Sequence, residues 1–105
     1  MTKKYKSLRA LFRSKKRWCQ GADAKDVNGQ DVYPRDNTAV CFCLGGGAYT
    51  LYSSGTYSKV MTKLAKVIKP KGRGKGSSET IVVQYNDDPK RKFSEIQAVV
   101  RKAGV

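Results

Sequence analysis

Histidine is absent from this chain. Its absence removes the Cys-His and Ser-His pairs on which most hydrolytic nucleophiles depend. No apolar run approaches the roughly eighteen residues that a membrane-spanning helix requires, so no membrane partner is expected. The amino-terminal stretch MTKKYKSLRALFRSKKRW has a charged start but no uninterrupted apolar segment and no cleavage site. It is not expected to act as a signal peptide, which points to a cytoplasmic location. Cysteine occurs only three times, at Cys19, Cys41 and Cys43; an odd count without an export signal predicts free thiols. Acidic residues are scarce, 8 against 22 lysines and arginines, for a net charge of +14.

What is present fits one domain over residues 1–105, with 39% hydrophobic residues available for a modest core. The positive charge is uneven. Residues 1–17 carry eight basic residues and residues 59–75 carry seven, with no acid in either block, while residues 18–58 carry two basic and four acidic residues. Two such blocks favour a polyanionic partner.

Periodicity predicts a helix over 3–17, with Tyr5, Leu8, Leu11 and Phe12 on one side and Lys6, Arg9, Arg13, Lys16 and Arg17 on another. Asn28-Gly29 is the favoured pair for a two-residue hairpin turn, which places a small hairpin near residues 22–33. Residues 37–52, NTAVCFCLGGGAYTLY, fit either one buried helix or two short strands around a glycine turn. The clearest helix is 56–69: Tyr57, Val60, Met61, Leu64, Val67 and Ile68 recur at helical spacing, Lys59, Lys63 and Lys66 lie opposite, and Pro70 ends it. PKGRGKGSS, residues 70–78, reads as a flexible basic loop. TIVVQY, residues 80–85, reads as a short strand. A capping box opening at Ser94 starts a closing helix that buries Ile96, Val99, Val100 and Ala103, with Gly104 as its carboxy-terminal cap. The expected fold is mainly α (α+β), with about four helices, a small β-hairpin and one short strand.

The remaining chemical motifs are weak. Cys41-x-Cys43 with Cys19 supplies three sulfurs at the wrong spacing for zinc and no imidazole, so neither metal nor cofactor is expected. The Walker pattern fails in GRGKGSS, because Lys69 stands at its first glycine and Gly76 at its Ser/Thr position. Gly45-Gly46-Gly47 has no nearby cation to hold a phosphate and is better suited to a close backbone approach, with Cys43 facing the core. An enzyme using Cys19, or the polar set Gln20, Asp26, Asn86 and Asp87, is the weakest of three readings. The basic stripes carry the main signal. Lys6, Arg9, Arg13, Lys16, Arg17, Lys59, Lys63 and Lys66, with Lys71, Arg73 and Lys75 as a mobile clamp, predict a non-enzymatic protein that contacts the phosphate backbone of DNA or RNA. The alternative is a module that binds an acidic or nucleic-acid-binding surface of another protein.

The residues Trp18-Cys19-Gln20-Gly21-Ala22-x-Ala24-x-Asp26-x-x-Gly29, then Ala39-Val40-x-Phe42-Cys43-Leu44 with its glycines including Gly46, then Tyr85-Asn86-Asp87, resemble a family. It is an uncharacterised domain family of bacteria and their phages, whose members read W-x-Q-G-x-x-A-x-D-x-x-G, W-C-x-x-G-A and N-D. The resemblance runs from about Leu8 to Ala103. It implies a single helix over 37–52 and brings no activity with it. This chain departs from the pattern at Phe42, Gly45 and Gly47 and in its higher positive charge. A phage origin would suit a short basic protein acting inside a host, either as the nucleic-acid-binding protein or, in the alternative reading, as one that binds a host protein.

Overall fold

The computed structural model describes residues 5–69 and 77–105. Within them the expected class stands: the chain is mainly helical with a small β element. Several local boundaries move.

Two serines divide the expected helix over 3–17. Ser7 Oγ accepts the Ala10 N–H at 3.2 Å and opens α1, Leu8–Leu11. The helix closes at Phe12, and Ser14 Oγ accepts the Lys16 N–H at 3.3 Å to start a separate 3-10 turn over Lys15–Arg17. Serine side chains compete with the helical backbone for its own donors, and here each caps the start of a separate element. The apolar residues keep their expected side, with Leu8, Leu11 and Phe12 fully buried.

Asn28-Gly29 does not form the expected two-residue turn. Only Gly29 has positive φ there, +81°, whereas that turn needs it at both positions. Asp26 organises the loop instead. Its Oδ1 accepts the N–H groups of Asn28 and Gln30, each at 2.9 Å, and its carbonyl accepts that of Gly29. The chain folds back through a Lys25–Asp31 bridge, but the regular ladder joins β1, Ala24–Lys25, to β2, Cys41–Phe42, antiparallel.

Residues 37–52 are neither one helix nor a glycine-turned hairpin. β2 leads directly into α2, Leu44–Leu51, whose first turn contains the three glycines. Cys43 is its N-cap, with Sγ accepting the Gly46 N–H at 3.1 Å. The helix runs against α1 so closely that a Cβ on Gly47 would stand 2.9 Å from Leu11 Cδ2 and 3.1 Å from Leu8 Cδ2. At Gly45 the nearest atom would be Met61 Cε at 3.4 Å, an ordinary contact. Thermal melts of the two alanine variants should therefore separate. Gly45→Ala gains helix propensity and should stabilise by up to about 1 kcal/mol, while Gly47→Ala must displace side-chain ends and should cost about 1–2 kcal/mol.

α3, Ser54–Ile68, begins two residues earlier than expected and buries Val60, Met61, Leu64 and Ala65. Lys59, Lys63 and Lys66 are exposed. The loop at 70–78, including Pro70, Lys71, Arg73 and Lys75, lies outside the described residues up to position 76.

The expected strand at 80–85 is a helix: α4 spans Ser78–Asp87. Ser77 Oγ accepts the Thr80 N–H at 3.1 Å, and Glu79 sits in the first turn. Ile81, Val82 and Asn86 share its buried face, so packing against α2 and α3 outweighs the β-preference of Ile-Val-Val. Tyr57 Oη donates to Glu79 at 2.7 Å, tying α3 to α4.

α5 spans Phe93–Ala103 and starts before Ser94. Glu95, not Gln97, makes the capping contact, accepting the Lys92 N–H at 2.8 Å. Ile96, Val99 and Val100 are buried, Ala103 is half-buried, and Gly104 ends the helix at φ +74°. α5 packs against both α1 and α3.

Candidate nucleic-acid interface

The residues of the family-like motif come together, and they fasten the chain to itself. Asn86, at the end of α4, is completely buried. Its Oδ1 accepts Trp18 Nε1–H at 2.7 Å and the Leu44 N–H at 3.0 Å. Its Nδ2 donates to the Cys19 carbonyl at 3.1 Å and to Asp87 Oδ1 at 2.9 Å. Gln20 Nε2 reaches the carbonyls of Asn86 and Asp88, each at 2.8 Å, and Asp87 Oδ1 also accepts the Gly21 N–H at 3.0 Å. Both donors and both acceptor positions of the Asn86 amide are used, so none is left for a ligand. Asp26 and Gly29 build their loop, Cys43 caps α2, and Gly46 lies against the Asp23 backbone. Gly21, at φ +80°, supplies the left-handed turn that presents its N–H to Asp87.

Neither Cys19 nor Cys43 is poised as a nucleophile. Burial pushes Cys19 far up, and the neighbouring Cys41 adds to that by hydrogen bonding and charge. Burial pushes Cys43 up to about 11, although the Gly46 N–H opposes it. Both therefore carry their protons at neutral pH, and the thiolate is the reactive form. Among the described residues no three Cys, Asp or Glu side chains converge as a metal site, and no helix is long and apolar enough to cross a membrane.

The basic residues are divided among several places. Arg9 and Arg13 converge with Arg101 of α5 on one cavity of about 440 Å³, together with Ser7, Phe12 and Gln97. Arg9 and Arg13 line the same cavity although the helix ends between them. Gln97 Nε2 donates to the Phe12 carbonyl at 2.9 Å, which fixes α5 against the end of α1, and both residues line the cavity. No carboxylate among the described residues lines it. Among the described residues the ion pairs are those of Arg91, with Asp88 at 3.6 Å and Glu95 at 3.3 Å, so the three cavity arginines are free to meet an anion.

Other expected contacts lie elsewhere. Lys6 and Lys16 are exposed, but neither lines the cavity. Arg17 is half-buried, with its guanidinium 4.7 Å above the Tyr5 ring, a structural cation–π contact. Lys59, Lys63 and Lys66 form an exposed row on α3, apart from the arginine cavity. Lys71, Arg73 and Lys75 lie outside the described residues. Sequence reasoning missed Arg101, because a basic residue in a last helical turn reads as complement to the helix dipole. The available signal was its spacing from Gln97, which puts both on one face of α5.

A second cavity, of about 560 Å³, has the opposite character. Asp23, Asp31 and Asp87 line it with Tyr33 and Val83, and among the described residues no lysine or arginine does. The two cavities thus differ in the sign of the charge that lines them.

The family model described as a family of unknown function (DUF6197) matches residues 5–104. No curated protein and no solved structure matches the chain.

Proposed function

We propose a function for this chain, which belongs to the DUF6197 family of unknown function: it is a non-enzymatic protein that binds nucleic acid through phosphate groups. The observation that carries this reading is the cavity between α1 and α5, where Arg9, Arg13 and Arg101 converge without a carboxylate. Guanidinium groups present planar forks of donors that match phosphate oxygens, and they keep their charge at every physiological pH. The row Lys59, Lys63 and Lys66 adds charge on α3 that draws a polyanion toward the molecule. Such contacts set affinity and salt dependence without reading base sequence. The saturated Asn86 network and the protonated thiols support a binding role over a catalytic one.

Binding of DNA and RNA oligonucleotides across a salt series tests the reading. Affinity should fall steeply with salt, and each lost phosphate contact should lower the slope of log K against log salt by about 0.7–0.9. The Arg9→Ala, Arg13→Ala, Arg101→Ala combination should therefore reduce the slope by about 2–3. Stability should change by about 0.5 kcal/mol or less per site, since these side chains are exposed. Alanine at Lys59, Lys63 and Lys66 should give a smaller decrease. Undetectable binding to both nucleic acids at low salt would overturn the reading and leave an acidic protein surface as the polyanion.

A further inference from the structure

We propose that the arginine cavity is built for a phosphomonoester and receives the 5′-phosphate end of a nucleic-acid strand. The inference rests on the reading of this cavity as a phosphate site and specifies which phosphate it takes. Its shape is the first reason. A volume of about 440 Å³ lies in the range of small-molecule pockets, about 300–1,000 Å³, rather than that of a flat backbone-tracking surface. A phosphate inside a strand has a sugar on each side, and both must leave the cavity. A terminal phosphate has one ester link and can enter end-on.

Charge is the second reason. Three arginines line the cavity, and among the described residues no carboxylate does. A diester carries one negative charge, whereas a phosphomonoester carries about −1.5 to −2 at pH 7 and has three terminal oxygens. The additional charge and the additional acceptor are what a third arginine can use. Two neutral groups complete the donor set. Ser7 Oγ accepts from the Ala10 N–H, which leaves its hydroxyl hydrogen available. Gln97 Nε2 spends one hydrogen on the Phe12 carbonyl and keeps the other. Phe12 and Val100, both buried, supply the apolar part of the lining.

A phosphomonoester can also come from a free nucleotide, so the test has three arms. The full chain is titrated at fixed salt with a 5′-phosphorylated single strand, the same strand with a 5′-hydroxyl, and a nucleoside monophosphate. The phosphorylated strand should bind at least about tenfold more tightly than the hydroxyl strand, as expected for added charge-assisted hydrogen bonds. The preference should shrink as pH falls from 7.5 to 5, because the phosphate takes up a proton near pH 6 while the arginines stay charged. Arg101→Ala should remove the preference while weakening the hydroxyl strand far less. Arg9→Ala, on a different element, should act in the same direction. Equal affinity for the two strands overturns this inference and leaves backbone binding intact. A monophosphate that binds as tightly as the phosphorylated strand supports the site but assigns it to free nucleotides, and the nucleic-acid reading then falls. No binding in any arm overturns both.

Discussion

Urea denaturation of an Asn86→Ala variant should show stability reduced by about 3–5 kcal/mol, with a lowered midpoint and an unchanged slope. The carboxamide holds three groups that are distant in sequence, the Trp18 ring N–H, the Leu44 N–H and the Cys19 carbonyl, together with the adjacent Asp87 carboxylate. Removing it leaves the Leu44 N–H without a partner in a fully buried setting. The half-exposed Trp18 recovers part of its loss from water. Each orphaned buried polar group costs about 1–3 kcal/mol. A domain of this size has about 5–15 kcal/mol in all, so the variant is left close to the unfolding threshold. Asn86→Asp should be at least as damaging at neutral pH. It keeps the two acceptor contacts but sets an oxygen against the Cys19 carbonyl and a second charge beside Asp87. Burial and Asp87 both raise the pKa of the new carboxyl in the folded state. Its penalty is therefore present at neutral pH and shrinks as pH falls through that raised value. An Asn86→Ala variant that unfolds at the wild-type midpoint but loses nucleic-acid binding would show that the network serves a ligand.

Gly46→Ala is the second large effect, and it contrasts with its two neighbours. A Cβ at Gly46 would collide with the Asp23 carbonyl oxygen and stand 2.8 Å from the carbonyl carbon. These are backbone atoms, and that same carbonyl accepts the Cys43 N–H at 3.1 Å just before α2 begins. Relief requires α2 to move off the β1–β2 pair, which breaks this contact and disturbs the ladder beside it. A destabilisation of about 3 kcal/mol or more is expected by thermal or chemical denaturation, and Gly46→Leu should be worse. Binding per folded molecule should be retained, because Gly46 does not line the arginine cavity. A variant that keeps its melting temperature and loses binding would contradict the structural role of this helix turn.

The Asn86 clasp also explains how far its motif was legible. Trp18, Gln20, Gly21, Asn86 and Asp87 stand out as residue types, but some 65 positions separate the two groups, and nothing local indicates that they meet. Once placed together they are mutually satisfied, so the pattern marks a fold constraint.

Local physics was sufficient where one element carries its own periodicity. α3 and α5 bury the apolar stripes that helical spacing predicts, because a stripe of that width can be buried only by a helix on a core. The layout of charge follows in the same way, since composition along the chain needs no partner. Where local preferences compete, only the tertiary structure decided. The Ile-Val-Val run of α4 favours a strand when alone but becomes a helix, because Ile81, Val82 and Asn86 then reach one buried face together. The arrival of Arg101 beside Arg9 and Arg13 depends on how α5 docks against α1. A binding site made by two elements far apart in the chain has no sequence period, and it exists only once those elements pack.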